Sequence, residues 1–176
     1  MAKRGDRDAQ FNVALRYQDG IDGPRDYEKA RHWYRQAANQ GHTTAQYSLG
    51  LLFAKGLGRS KDMQAAAQWY RMAAEGGHQA AQFNLAQMYE EGRGVPRDLV
   101  MAYVWFTLAG ASPQNARQQA QGKSSRSPTG LLPVGKGKTV AEMHRMRLAQ
   151  ALNSIERDRA ARMAEEYYAR HVRLFR

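Results

Sequence analysis

The chain of 176 residues contains no cysteine. Disulfides, thiolate metal sites and cysteine nucleophiles are therefore excluded. Nor does it contain H-E-x-x-H, S-x-x-K or G-x-S-x-G, so no zinc-protease pair and no activated serine is written into it. No apolar run approaches the roughly 18 residues that a membrane span needs. The start, Met1-Ala-Lys-Arg-Gly-Asp-Arg-Asp, is polar and lacks the apolar core of a secretory leader. With zero cysteine this suits the cytoplasm, whereas a leader removed upstream would make the protein an exported one.

Acidic side chains are also few, 16 against 27 lysines and arginines, for a net charge of +11. The imbalance is local. Residues 1–116 hold 14 cations and 11 carboxylates, whereas residues 117–176 hold 13 and 5. The basic character thus belongs to the C-terminal third. The rest of the composition, 43% hydrophobic and 10% aromatic, is globular, and the length fits one domain with a sizeable core.

The chain repeats itself at an offset of 36 residues. Ala9-Gln-Phe-Asn-Val-Ala aligns without gaps on Ala45-Gln-Tyr-Ser-Leu-Gly and Ala81-Gln-Phe-Asn-Leu-Ala. Tyr17 meets Phe53 and Tyr89, Gly20 meets Gly56 and Gly92, and Asp26 meets Asp62 and Asp98. Ala30-Arg-His-Trp-Tyr meets Ala66-Ala-Gln-Trp-Tyr and Ala102-Tyr-Val-Trp-Phe; Gly41-His42 meets Gly77-His78. Each unit reads as two helices. In the first, Ala9, Val13 and Tyr17 share one face at i, i+4, i+8, and the helix stops at a glycine that takes a left-handed cap cheaply. The second starts at Asp26, Asp62 or Asp98, whose carboxylate caps the first turn, and ends at Gly41 or Gly77. Ala30, Trp33, Tyr34 and Ala37 form its apolar face, which places Trp69 of the middle unit between its neighbours. One hairpin cannot bury both faces, so copies stack. The expected fold is all-α: a short right-handed α/α solenoid with a concave side. The scattered histidines carry no site; His42 and His78 share one repeat position and belong to the turn between units.

At these residues the chain resembles the Sel1-like repeat family, relatives of the tetratricopeptide repeat. Glu91-Gly92-Arg93-Gly94-Val95-Pro96-Arg97-Asp98 is a close match to the family's loop. Gly56-Leu57-Gly58 is followed by Arg59 where valine is usual, and in the first unit Asp22 replaces the second glycine. The resemblance covers residues 2–116. It implies a bacterial, non-enzymatic adaptor that binds another protein, without a cofactor or metal, and it does not name the partner.

The resulting organisation is a partial preceding repeat over 1–8, then repeats over 9–44, 45–80 and 81–116. The tail of a missing second helix over 2–8 leaves the stacking face of the first repeat uncapped. Residues 117–176 form C-terminal helices that cap the solenoid. Ser112-Pro113 starts a helix, and residues 122–139, rich in glycine and proline, read as a flexible basic insert. Helix resumes near Val140, and Asn153-Ser-Ile-Glu156 is a capping box for the last one. That helix carries Ala160, Met163, Ala164, Tyr167, Tyr168, His171 and Leu174 at helical spacing.

Gly135-Lys-Gly-Lys-Thr139 is not a phosphate loop, because Leu132 stands where the first glycine belongs and no strand precedes it. The basic third offers an alternative function, binding nucleic acid or another anionic surface, although no RNA-binding signature accompanies it. For the adaptor reading, the tetratricopeptide analogy places the concave face at Phe11, Leu15 and Gln18, then Tyr47, Leu51 and Ala54, then Phe83, Gln87 and Glu90. The three rings can equally pack between helices. Leu15, Leu51 and Gln87 are the stronger candidates, because their chemistry varies on an unvarying frame.

Overall fold

The structure, a computed structural model, describes residues 5–110 and 140–173. The helix expected at Ser112, the insert 122–139, and the first residues of the partial repeat lie outside the described residues. Eight helices and no strand occur among those described: α1 (Arg7–Asp19), α2 (Tyr27–Asn39), α3 (Thr43–Lys55), α4 (Met63–Glu75), α5 (Gln79–Glu91), α6 (Leu99–Gly110), α7 (Val140–Ala151) and α8 (Ser154–Arg173). The chain is an all-α repeat protein.

The ends of these helices follow from the residues at the repeat boundaries. Gly20 and Gly56 are left-handed C-caps of α1 and α3, at φ 71° and 70°, a region that costs other residues more. The Asp26, Asp62 and Asp98 carboxylates accept from Lys29 N, Ala65 N and Met101 N at 2.9, 2.9 and 3.0 Å. The same aspartates close each hairpin through the backbone. Asp26 N donates to Tyr17 O at 2.9 Å, Asp62 N to Phe53 O at 3.0 Å, and Asp98 N to Tyr89 O at 2.9 Å. Asn153 and Glu156 form the reciprocal box, each bond 2.9 Å.

Two compact units are present. One holds α1 to α4 and the start of α5 through Ala81, with Arg93–Val95. Here α1 pairs with α2, α2 with α3, and α3 with α4. Alanines make this close approach possible: Ala14, Ala30, Ala37, Ala38, Ala45, Ala66 and Ala73 are buried, with Tyr34, Leu49 and Tyr70 filling the space between them. In α1, Ala9, Val13 and Tyr17 are half-buried, whereas their counterparts Ala45, Leu49 and Phe53 in α3 are buried. The expected stacking face of the first repeat is thus the less covered one. The other unit takes α5 from Gln82 onward, α6, α7 and α8. Both α7 and α8 pack on α6. Its core is Leu85, Val104, Trp105, Phe106, Leu148 and Ala160.

The tryptophans correct the sequence reading. Tyr34 and Tyr70 are buried, but Trp33 and Trp69 beside them are only half-buried. Trp105 alone is enclosed, 1% exposed, because Tyr167 of α8 lies against it at 5.1 Å between centroids. Full burial of this position is supplied by a cover, not by the repeat itself.

The departure at Asp22 also has a physical reason. Its counterpart Gly58 sits on the first turn of α2, where a Cβ would lie 2.8 Å from Tyr27 Cβ and 2.9 Å from Glu28 N. Gly94 sits likewise on the first turn of α4, against the Met63 carbonyl. The second glycine therefore makes room for the start of the preceding second helix. Asp22 meets no such helix among the described residues and pairs instead with Arg16.

Urea unfolding of single variants tests both points. Trp105→Ala should cost about 3–5 kcal/mol, as for other enclosed aromatics, and Trp33→Ala clearly less. Gly58→Ala should cost about 1–3 kcal/mol through overpacking, while Asp22→Ala, losing an exposed ion pair, should stay within about 1 kcal/mol. Equal losses at 22 and 58 would contradict the steric account.

Candidate binding surface

The nine expected contact residues fall into three environments. The aromatic ones are engaged inside the repeats. Phe11 lies 5.6 Å from Tyr34 and stacks on His42 at 4.5 Å and 20°. Tyr47 lies 5.8 Å from Tyr70 and stacks on His78 at 4.4 Å and 21°. In the second unit Phe83 lies 5.4 Å from Phe106 and meets His144 edge-on at 6.0 Å. His144 itself stacks on Phe106 at 4.7 Å and 21°. All three contact rings remain half-buried.

The histidines do more than stack. His42 Nδ1 accepts from Ala45 N at 3.1 Å and so caps α3; His78 Nδ1 accepts from Ala81 N at 3.3 Å at the start of α5. An imidazole that accepts at Nδ1 carries its proton on Nε2. In His42 that nitrogen lies 3.5 Å from Asp8 Oδ1. Burial lowers the pKa of His78 below its ordinary 6.5, since the charged form loses solvation. Burial likewise pushes the Tyr34 hydroxyl up to about 12; its O–H donates to Gln18 Oε1 at 3.0 Å.

The aliphatic and amide positions form the second environment. Leu15, Leu51, Ala54 and Gln87 are half-buried, one helical turn or two beyond the engaged rings. Gln18 joins them, its carbonyl oxygen holding Tyr34. Glu90 is the third environment. Its side chain is 10% exposed and pairs with two residues of α7, Arg147 and, at 2.9 Å, His144 Nδ1. His144 Nδ1 thus stands between an acceptor, the Glu90 carboxylate, and a donor, the Arg147 guanidinium at 3.2 Å. Nothing in the repeat pattern announces this pair. His144 lies outside the repeats, and the position that would continue His42 and His78 holds Gln114.

A cleft of about 680 Å3 opens at the loop between α1 and α2. Four of its six charged lining residues pair with one another: Arg16 with Asp22, and Lys29 with Asp26 at 3.0 Å, its ammonium over Tyr17. Such mutual pairing gives no converging set of polar groups for a small substrate. Among the described residues no three His, Asp or Glu side chains group closely enough to hold a metal ion. No helix among them is long and apolar enough to cross a membrane.

The Sel1 repeat family model matches residues 7–42, 43–78 and 79–112. The chain belongs to the Sel1 repeat family. Solved structures agree. A protective antigen present in uropathogenic Escherichia coli strains, displaying an SLR fold, is 30% identical over 97% of this chain, with a TM-score of 0.72. The Sel1 repeat protein from Oxalobacter formigenes is 37% identical over 68% of this chain and 92% of its own, with a TM-score of 0.58. This chain spans only 31% of the length of the E. coli antigen. No curated protein matches it. Sel1 repeats are generally non-catalytic scaffolds that mediate contacts between proteins.

The tautomer of His78 generates a pH prediction. Its folded pKa lies below the unfolded one, so the unfolded chain binds the extra proton. The contribution is complete above the ordinary value of 6.5 and is lost as pH falls below it. His78→Asn keeps an acceptor at the cap but does not titrate. Denaturant unfolding between about pH 7.5 and 5 should therefore lose less stability in the variant than in the parent. Parallel curves would exclude His78 as a contributor.

Proposed function

We propose that this Sel1 repeat chain is a non-enzymatic scaffold that binds a segment of another protein on its first-helix face. In the first unit that face is Leu15 and Gln18 of α1 with Leu51 and Ala54 of α3. Gln87 holds the same repeat position in the second unit. The observation that supports this reading is the division of labour along α1 and α3. Phe11 and Tyr47 are tied to Tyr34, His42, Tyr70 and His78 in the same way each time. One turn on, half-buried leucine recurs at 15 and 51 and gives way to glutamine at 87; two turns on, Gln18, Ala54 and Glu90 differ in every repeat. A constant frame with variable, partly exposed positions can tune recognition without disturbing the fold. Leucine, alanine and glutamine together suit a peptide with a few apolar anchors and backbone polar groups, in the manner of a segment laid in a groove. Phe11 and Tyr47 serve that face as its floor, and Phe83 holds their repeat position in the second unit. Glu90 is engaged with His144 and Arg147 inside the second unit and leaves that face.

Site-specific photocrosslinking tests the proposal. A crosslinker at position 51 should capture a protein partner in cells of the source organism, whereas one at exposed Gln68 of α4 should not. Leu15→Asp with Leu51→Asp should keep the circular dichroism spectrum and weaken the captured partner at least about tenfold, as for central anchors elsewhere. Capture from 68 and not 51 would move the site off this face. Loss of binding between about 50 and 200 mM salt, with the double variant unaffected, would favour a polyanion as the ligand instead.

A further inference from the structure

The buried residues of α7 are Ala141, Arg145 and Leu148, which share one face at i, i+4 and i+7. Two of them suit a core and the third does not. Arg145 is 9% exposed, and no other lysine or arginine among the described residues is buried. Its aliphatic stem can cover apolar surface there. Its guanidinium is another matter, since it only donates and keeps its charge at every accessible pH. Among the described residues no acceptor takes a hydrogen bond from it and no carboxylate pairs with it. The cations beside it on α7, His144 and Arg147, both meet Glu90. Nor does the rest of the sequence hold a carboxylate side chain in reserve. All 16 aspartates and glutamates belong to the described residues; 1–4, 111–139 and 171–176 contain none.

A buried cation without a counter-ion is costly, because solvation is lost and nothing replaces it. A buried lysine can release its proton, but arginine cannot. Access remains open. None of the Arg145 nitrogens is fully enclosed, whereas the other buried donor of this unit without an acceptor, the Trp105 indole N–H, is. The guanidinium is thus held on a packed face with its donors unspent and still within reach from outside. One guanidinium matches the two oxygens of one carboxylate through a pair of parallel hydrogen bonds. A phosphate dianion would call for a second unpaired cation, and Arg147 already holds Glu90.

We propose that Arg145 is a binding site for one carboxylate from outside the chain, borne by an acidic side chain of a partner protein or by a free organic acid. The site does not rest on the first-helix face. The probes are sodium acetate and a blocked glutamate, N-acetylated and amidated, with sodium chloride at matched ionic strength and the blocked glutamine as controls. The full chain is followed by 15N NMR at the arginine Nε–H signals, and that of Arg145 is identified by its loss in Arg145→Lys. Acetate should shift this signal saturably and slow its exchange with water, and chloride should not. Arg145→Lys should weaken acetate binding about tenfold, because an ammonium lacks the planar fork. A response to the blocked glutamate, and not to the glutamine, assigns a protein side chain as the source; a response to acetate alone assigns a free acid. Arg145→Met keeps most of the stem and removes the charge. In chloride it should melt above the parent, and acetate should raise the melting temperature of the parent only. The proposal is overturned if no carboxylate moves the Arg145 signal, or if chloride moves it equally. It is also overturned if Arg145→Met melts below the parent in chloride, since the guanidinium would then be satisfied within the chain.

Discussion

A single imidazole joins three helices at the junction between repeats, and the stacking of this protein depends on it. His42 follows the end of α2, caps α3 through Nδ1, and covers the Phe11 ring of α1. His78 does the same for α4, α5 and Tyr47. The chain must turn tightly to deliver the ring there, and Gly41 and Gly77, at φ 79° and 82°, make that turn. His42 N and His78 N then close it by donating to Ala37 O and Ala73 O at 3.2 and 2.9 Å. One residue therefore fixes where a hairpin ends and where the next begins. A serine or aspartate would cap as well but would leave the aromatic ring uncovered.

The second unit meets the same need by different means. No repeat histidine follows α6 among the described residues; an imidazole there meets Phe83, the counterpart of Phe11 and Tyr47, edge-on, and stacks on Phe106, the counterpart of Tyr34 and Tyr70. His144 provides it from α7. Its Nδ1 is not used in a cap and meets Glu90 and Arg147 instead. Tyr167 of α8 covers Trp105 in turn. The two C-terminal helices thus close the repeat through the ring positions that the pattern leaves open, and the deeper burial of Trp105 relative to Trp33 follows.

Much of this was legible in the sequence because it is local. An aspartate three residues before the amide it caps, a glycine at a left-handed end, and a box from Asn153 to Glu156 are written within a few residues. A 36-residue offset shows them in register. What is set by partners distant in the chain was not legible. Trp33, Trp69 and Trp105 share one position, and only the structure shows that a cover exists for the last alone. Glu90 occupies the register position of Gln18 and Ala54, and its pairing depends on residues 54 and 57 positions away. The Phe11, Tyr47 and Phe83 rings satisfied either a contact or a packing role from spacing alone. Periodicity identifies which residues share a face, but not what lies against it.

That distinction also separates the frame from the surface. Residues that close hairpins and junctions hold the chain itself: Asp26 accepts from Lys29 N, His42 accepts from Ala45 N, and Tyr34 donates to Gln18. Substituting them changes stability before it changes recognition. Leu15, Leu51 and Ala54 stand beside that frame without holding it. Their side chains are only half-covered, so replacing one removes a fraction of a buried side chain's contribution, typically about 1.5–3 kcal/mol when burial is complete. A face built this way can change its partner at small cost to the fold. On α7 the same reasoning has a sharper edge. Its inner face already anchors the helix, so the outward Met143 and Met146 contribute little to folding.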